Sequence, residues 1–104
     1  MYTEQQIQQL VNNIALAYKP EKIILFGSYA KNTATDVSDI DLCVIKNDSR
    51  KYIEKLKEIR SSIKDFKWPI DLVLYSVSDF EQFRKEKISF TNHIYESGKI
   101  VYGH

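Results

Sequence analysis

Two aspartates, Asp39 and Asp41, stand two residues apart at the head of a short apolar run, Ile40 to Ile45. A Gly-Ser pair, Gly27-Ser28, follows directly on another such run, Lys22 to Phe26. In a strand, side chains at i and i+2 point to the same face. The two carboxylates therefore lie side by side, an arrangement that is unfavourable unless a cation sits between them. Mg²⁺ is the natural occupant, because it prefers hard oxygen ligands and usually shares them with substrate phosphates. A third acid, Asp71, stands in the next apolar run, Ile70 to Tyr75. If the second and third strands pair, Asp71 faces the same place. Three carboxylates meet the needs of two-metal phosphoryl transfer, in which one ion activates the attacking oxygen and the other steadies the leaving phosphate. Asp39, Asp41 and Asp71 are thus the candidate catalytic and metal-binding residues.

Gly27-Ser28 supplies the complementary half. A glycine has no Cβ, so its backbone lets a phosphate approach closely. Ser28 is expected to cap a short helix through Lys31, and the N–H groups at a helix start favour anions. The Ser28 hydroxyl adds one more hydrogen bond, and Lys31, one turn on, adds a positive charge. Gly27, Ser28 and Lys31 are the candidate nucleotide-binding residues. Taken alone, a Gly-Ser pair is most often a turn and an Asp-x-Asp a solvated strand edge. Their combination at this spacing, in the order strand, turn, helix, loop and strand, is far more specific.

The elements that must position these residues follow from periodicity. Thr3 and Gln6 form a capping box, after which Ile7, Leu10, Val11, Ile14 and Tyr18 keep helical spacing until Pro20. Lys22 to Phe26, Ile40 to Ile45 and Ile70 to Tyr75 read as strands, and Lys99 to Tyr102 as a last one. Residues 50 to 65 read as a helix with Tyr52, Leu56, Ile59 and Ile63 on one face. Ser78 and Glu81 suggest a second capping box, opening a helix through about Lys87. A further helical stretch runs to Gly98, which suits a left-handed C′ position. The alternation predicts an α+β fold of two layers. Its mixed sheet has about four strands, with helices packed mainly on one face.

The bulk properties bound the function. At 104 residues and 43% apolar, the chain suits a single domain, 1–104, with a thin core. A net charge of +1 gives no case for direct nucleic-acid binding. Residues 46 to 67 hold eight basic side chains against four acids, which reads as a solvated helix face. The single cysteine, Cys43, forms no intrachain disulfide and suits a reducing cytoplasm; it reads as a small buried hydrophobe. His93 has no partner at zinc-ligand spacing. Tyr29 is the tyrosine nearest the Gly-Ser pair, and a packing role is expected for it. The N-terminus lacks a signal-peptide pattern, and no apolar run is long enough to cross a bilayer.

The stretch Gly27-Ser28-Tyr29-Ala30-Lys31-Asn32-Thr33-Ala34-Thr35-Asp36-Val37-Ser38-Asp39-Ile40-Asp41-Leu42 resembles the signature of the polymerase-β-like nucleotidyltransferase superfamily. The whole chain is similar to the minimal nucleotidyltransferases (MNT), the antitoxins of type VII-like HEPN–MNT toxin–antitoxin modules. The resemblance implies that superfamily's fold and two Mg²⁺ ions. It also implies transfer of AMP from ATP to a tyrosine of a HEPN ribonuclease, which silences that toxin. Gly27 and Ser28 match the phosphate-holding pair, Asp39 and Asp41 the metal-binding acids, and Asp71 the third acid, as base or second-metal ligand. The family often has arginine then glycine where Lys31 and Asn32 stand, and a basic residue where Thr35 stands. Asparagine tolerates the left-handed conformation such a turn requires. Lysine keeps the charge but loses bidentate phosphate binding, so a weaker grip on the triphosphate is expected. Larger members resemble this core with an added helical lobe, so a second protein is expected to supply the missing wall; a partner, or self-association, would also help so small a domain to be stable. Two other readings stay open: a non-catalytic module that neutralises its toxin by covering it, and nucleotidyl transfer to a small molecule.

Overall fold

The computed structural model describes residues 1–104. Eight elements follow in the order α1 (Glu4–Tyr18), β1 (Lys22–Phe26), β2 (Ile40–Ile45), α2 (Tyr52–Ser62), β3 (Ile70–Tyr75), α3 (Val77–Phe83), α4 (Phe90–Ser97) and β4 (Lys99–Tyr102). All four strands occupy the predicted bounds. They form one mixed sheet in the order β3-β2-β1-β4. β1 runs antiparallel to both neighbours, β2 and β4, whereas β2 and β3 run parallel.

α1 begins where the sequence says it must. The Thr3 hydroxyl accepts from the Gln6 N–H at 3.1 Å, and the Gln6 side chain accepts from the Thr3 N–H at 2.8 Å. This reciprocal pairing satisfies two of the N–H groups that every helix start leaves free. The helix ends at Lys19, whose left-handed backbone (φ 53°) turns the chain into Pro20. Its inward stripe is Ile7, Leu10, Val11, Ile14 and Tyr18.

Alternation along the strands separates two cores. Ile40, Leu42 and Val44 of β2 join Ile23, Leu25 and Leu72 beneath α1 and α2, in a cluster of 14 buried residues. Cys43 and Ile45 point the other way and join Ile24, Phe26, Phe80 and Ile94 in a cluster of 6 beneath α3 and α4. The larger helices thus cover one face, and two short ones cover part of the other. Asp39 and Asp41 have the parity of Cys43 and Ile45, so they belong to the thinly covered face.

Several boundaries differ from expectation. Residues 28–32 form hydrogen-bonded turns and no assigned helix. Tyr52 is half exposed and leaves the buried face of α2 to Ile59 and Ile63, with Leu56 partly covered. α3 is capped by Ser76, whose hydroxyl accepts from the Asp79 N–H at 3.0 Å. The cap must be the extended residue that ends the preceding strand segment, and Ser78 already lies inside the first turn. Glu81 is therefore free to pair with Arg84 at 2.8 Å, and α3 stops at Phe83, short of Lys87. Gly98 is extended (φ −81°) rather than left-handed. Glycine is needed there for space, since a Cβ would lie 2.5 Å from both Ile24 Cγ2 and the Ile94 carbonyl oxygen.

At the far end of the sheet from the acids, polar groups pin α1 to the segment between β2 and α2. The Lys46 ammonium donates to the Tyr18 carbonyl and lies over the Tyr18 ring. The Tyr18 hydroxyl donates to Asp48 at 3.1 Å, and the Arg50 guanidinium bridges Asp48 and Glu58, each at 2.6 Å. Burial, reinforced by Asp48, pushes the Tyr18 phenol up to about 12. The Arg50 guanidinium holds the Asp48 carboxyl well below the usual range.

The larger core carries the stability of a domain this small. Ile14 is fully buried, whereas Leu16 on the same helix is 79% exposed. Ile14→Ala is expected to cost about 2–5 kcal/mol in urea unfolding, and Leu16→Ala to stay within roughly 0.5 kcal/mol of the parent. Equal effects would place the core elsewhere.

Candidate active site

The sheet topology brings three strand ends to one place. β1 finishes where β2 starts, because the two are antiparallel, and β3 starts beside β2, because those two are parallel. Asp41 is in register with Phe26 on β1 and with Asp71 on β3. Side chains at matching positions of neighbouring strands share a face at about 5 Å. Asp41 therefore sits between Phe26 and Asp71, with Asp39 one step outward on the same side. The Ile40 N–H donates to the Pro69 carbonyl at 2.9 Å and ties the starts of β2 and β3 together.

Gly27 closes the fourth side. Its backbone is left-handed (φ +74°), and a Cβ built on it would lie 2.1 Å from Asp41 Oδ2. No other residue can stand there without displacing that carboxylate. The two motif halves seen in the sequence are thus in direct contact.

The turn that follows is wound by its own backbone. The N–H groups of Ala30 and Lys31 donate to the Gly27 carbonyl at 3.1 and 3.2 Å, and the Thr33 N–H donates to the Ser28 carbonyl at 2.9 Å. The N–H groups of Ser28 and Tyr29 donate to no acceptor within the chain. Asn32 takes the left-handed conformation, φ 59°, at the position where a glycine is common. Lys31 is exposed and pairs with no acid. In the loop leading to Asp39, the Thr35 N–H donates to Ser38 Oγ at 2.8 Å, and the Val37 N–H donates to Thr35 Oγ1 at 3.4 Å. These local bonds shape the approach of Asp39.

Charge at the site is uncompensated. Asp39 and Asp71 are exposed and Asp41 is half-buried. No lysine or arginine forms an ion pair with any of them. Burial, then Asp71, then Asp39 push the Asp41 carboxyl up to about 6 from 3.8. No group of three or more His, Cys, Asp or Glu side chains is placed to hold a metal ion by itself, so the three-carboxylate metal site expected from the sequence is not formed by these side chains alone. Mg²⁺ keeps waters and takes only one or two carboxylates together with substrate phosphates. The uncompensated carboxylates of Asp39, Asp41 and Asp71 lie close enough to repel and offer the hard oxygen donors that this ion takes.

Other candidates fall into place around this centre. Cys43, fully buried behind Asp41 on the same face, has its thiol pushed up to about 12 by burial and serves as packing. Tyr29 packs towards the larger core, with its hydroxyl accepting from the Tyr2 N–H at 3.1 Å. His93 is exposed. A hollow of about 400 Å³ lies between the start of α1, the 29–34 turn and β4, lined by Tyr2, Ile7, Leu25, Tyr29 and Val101 among others. It does not include the acids, which stand on an open surface. One neighbour was invisible to sequence reasoning: Phe90, whose ring meets that of Phe26 edge-on at 5.7 Å and 82°. No spacing rule links residues so far apart in the chain.

A family model described as polymerase beta, nucleotidyltransferase, matches residues 5–104. A candidate protein adenylyltransferase of Methanocaldococcus jannaschii is 29% identical over 98% of this chain and 100% of its own length. A second one from the same organism is 32% identical over 75% of this chain and 66% of its own length. Among solved structures, the chain is similar to a candidate nucleotidyltransferase from Sulfolobus solfataricus, with TM-score 0.65 at 14% identity, covering 94% of this chain and 78% of that one. It is also similar to a toxin–antitoxin crystallised with AMP-PNP, with TM-score 0.61 at 22% identity, covering 93% and 73%. A variant of the toxin–antitoxin MntA–HpeT gives TM-score 0.55 at 24% identity, covering 100% and 75%. At these identities the structural likenesses bear on the fold alone.

The raised Asp41 carboxyl makes a signed prediction. Its protonated form is favoured in the folded state, so its contribution is most favourable below the unfolded value of 3.8 and is lost as pH rises through about 6. In metal-free buffer, Asp41→Asn is therefore expected to raise the melting temperature above pH ~7, with the gain shrinking to nothing near pH ~4. Thermal melts in a chelator across this range check it; a gain independent of pH would show that Asp41 carries no such strain.

Proposed function

The chain belongs to the polymerase beta nucleotidyltransferase family, and from that premise we propose that it transfers AMP from ATP to a tyrosine of a HEPN-family ribonuclease toxin, serving as that toxin's antitoxin. The observation that carries the reading is the Asp41 carboxylate held against Gly27 with Asp71 in register beside it. This joins a phosphate-binding turn to a cluster of metal-seeking acids. The two Methanocaldococcus relatives, named for protein adenylyltransferase activity, support a protein acceptor and an adenine nucleotide. The toxin–antitoxin neighbours, alike in fold, are in keeping with a toxin as the partner.

Each residue then has a task. The free N–H groups of Ser28 and Tyr29, the Ser28 hydroxyl and the Lys31 ammonium hold the β- and γ-phosphates. Gly27 keeps the backbone low enough for them to approach. Asp39, Asp41 and Asp71 hold Mg²⁺, two ions in this reading, and those ions would neutralise charge on the phosphates and activate the attacking oxygen. Fixing the triphosphate at one end turns the α-phosphorus towards the open side, where orientation of the acceptor converts binding into rate. The tyrosine oxygen forms a new ester bond to the α-phosphorus. The bond from that phosphorus to the bridging oxygen breaks, and pyrophosphate leaves. Asp71, exposed and next to Asp41, takes the phenolic proton if it is not occupied as a ligand. The open surface around the acids suits an acceptor large enough to form its own wall, as a protein does.

Mixing the chain with a HEPN-type ribonuclease toxin, ATP and Mg²⁺, then weighing the intact products, tests the reading. A gain of one or more AMP units on the partner is expected. Replacing Asp39 and Asp41 by asparagine is expected to lower the rate by about 10³-fold or more while leaving the partner bound. Full neutralisation of the toxin by that double variant would make the chain a covering module, and a label appearing on a small molecule instead would make it a different transferase.

A further inference from the structure

We propose that the exposed ring of Phe90 is the stacking platform for the nucleobase of the bound triphosphate. The inference rests on the reading of the acids and the Gly27 turn as the triphosphate site, and adds the part of the nucleotide which that site leaves unattended. The residues described so far bind phosphate and metal; none of them offers a surface to a base. A base is flat and apolar on its faces, so it requires a flat apolar partner close to the phosphates.

Phe90 meets that description by position. Phe26 lies immediately before Gly27 and in register with Asp41, so its side chain forms the floor next to the carboxylates. Phe26 itself is 6% exposed and unavailable. Phe90 stands on it edge-on, with ring centroids 5.7 Å apart, and remains 54% exposed. The other aromatic side chains near this end turn away: Tyr29, Phe66 and Trp68 pack towards the larger core on the opposite face. Phe90 is thus the exposed aromatic ring that rests on a residue of the site. A side chain that only sealed the small core would be expected to bury its ring.

It is also held in place before any ligand arrives. The Ser89 hydroxyl accepts from the Asn92 N–H at 2.9 Å and donates to the Phe83 carbonyl at 2.7 Å. The Asn92 side chain donates to the Arg84 carbonyl at 2.7 Å. These bonds anchor the first turn of α4 to the end of α3, and with it the backbone of Phe90. A ring fixed in this way loses little freedom when a base settles on it. Stacking on such a ring tolerates any base, because every base has a π-face.

Calorimetric titration with two probes separates this role from phosphate binding: ATP, and inorganic tripolyphosphate, which has no base, each with Mg²⁺. Phe90→Leu keeps an apolar cover over Phe26 but removes the flat face, and Phe90→Trp restores a larger one. The Leu variant is expected to bind ATP about ten- to thirtyfold more weakly, to bind tripolyphosphate unchanged and to melt as the parent does. The Trp variant is expected to bind ATP at least as tightly as the parent. ATP binding unchanged in the Leu variant, or an equal loss for both probes, overturns the platform while leaving the triphosphate site intact. Failure of the parent chain to bind either probe overturns both readings.

Discussion

The contact between Gly27 and the Asp41 carboxylate is the constraint on which the site depends. A Cβ at position 27 would lie 2.1 Å from Asp41 Oδ2. The left-handed backbone there, φ +74°, is also one that L side chains rarely adopt. Two independent requirements, space and conformation, thus select the same residue. The consequence is geometric: the carboxylate and the turn share one wall, and the proposed ligand is one that is small and positive on one side and anionic on the other. A metal–triphosphate complex has that form.

The fold assembles this contact at a cost in stability. Three carboxylates stand together with no basic side chain paired to any of them, and Asp41 answers with a carboxyl pushed up to about 6. The neighbouring core is small, six residues under two short helices. The other face, fourteen buried residues beneath α1 and α2, does most of the holding. Its far end is clamped by the Tyr18, Asp48 and Arg50 cluster, where every charge has a partner. Satisfied charge at one end of the sheet and repelling charge at the other is a common signature of a binding site, because perturbed ionisable groups concentrate where function requires them.

The open surface around the acids has a physical counterpart in the reaction. In the proposed reaction a base, a triphosphate and an acceptor must all be aligned, and the turn and the acids would supply only electrostatic anchoring. With Phe90 as the proposed platform the site extends along the same face, and a protein acceptor would supply the remaining contacts itself. Orientation delivered by a partner is then a condition of rate rather than a refinement of it.

Much of this was legible in the order of residues alone. The four strands fell at their predicted bounds because short apolar runs bounded by turn residues have few other solutions. The Thr3–Gln6 box and the left-handed Asn32 were readable because they are local: each concerns a few consecutive residues. The errors were local too, and came from competing neighbours. Ser76 took the cap from Ser78 because it ends the extended segment, and Gly98 proved to answer a close approach by Ile24 rather than a left-handed turn. Tertiary structure alone decided that Asp71 aligns with Asp41, since a strand's register depends on its partner's pattern and not on its own. It also decided that Asp41 presses on Gly27 and that Phe90 rests on Phe26. Those contacts join parts of the chain whose separation carries no periodic signal, and only the closing of the sheet and the seating of α4 bring them together.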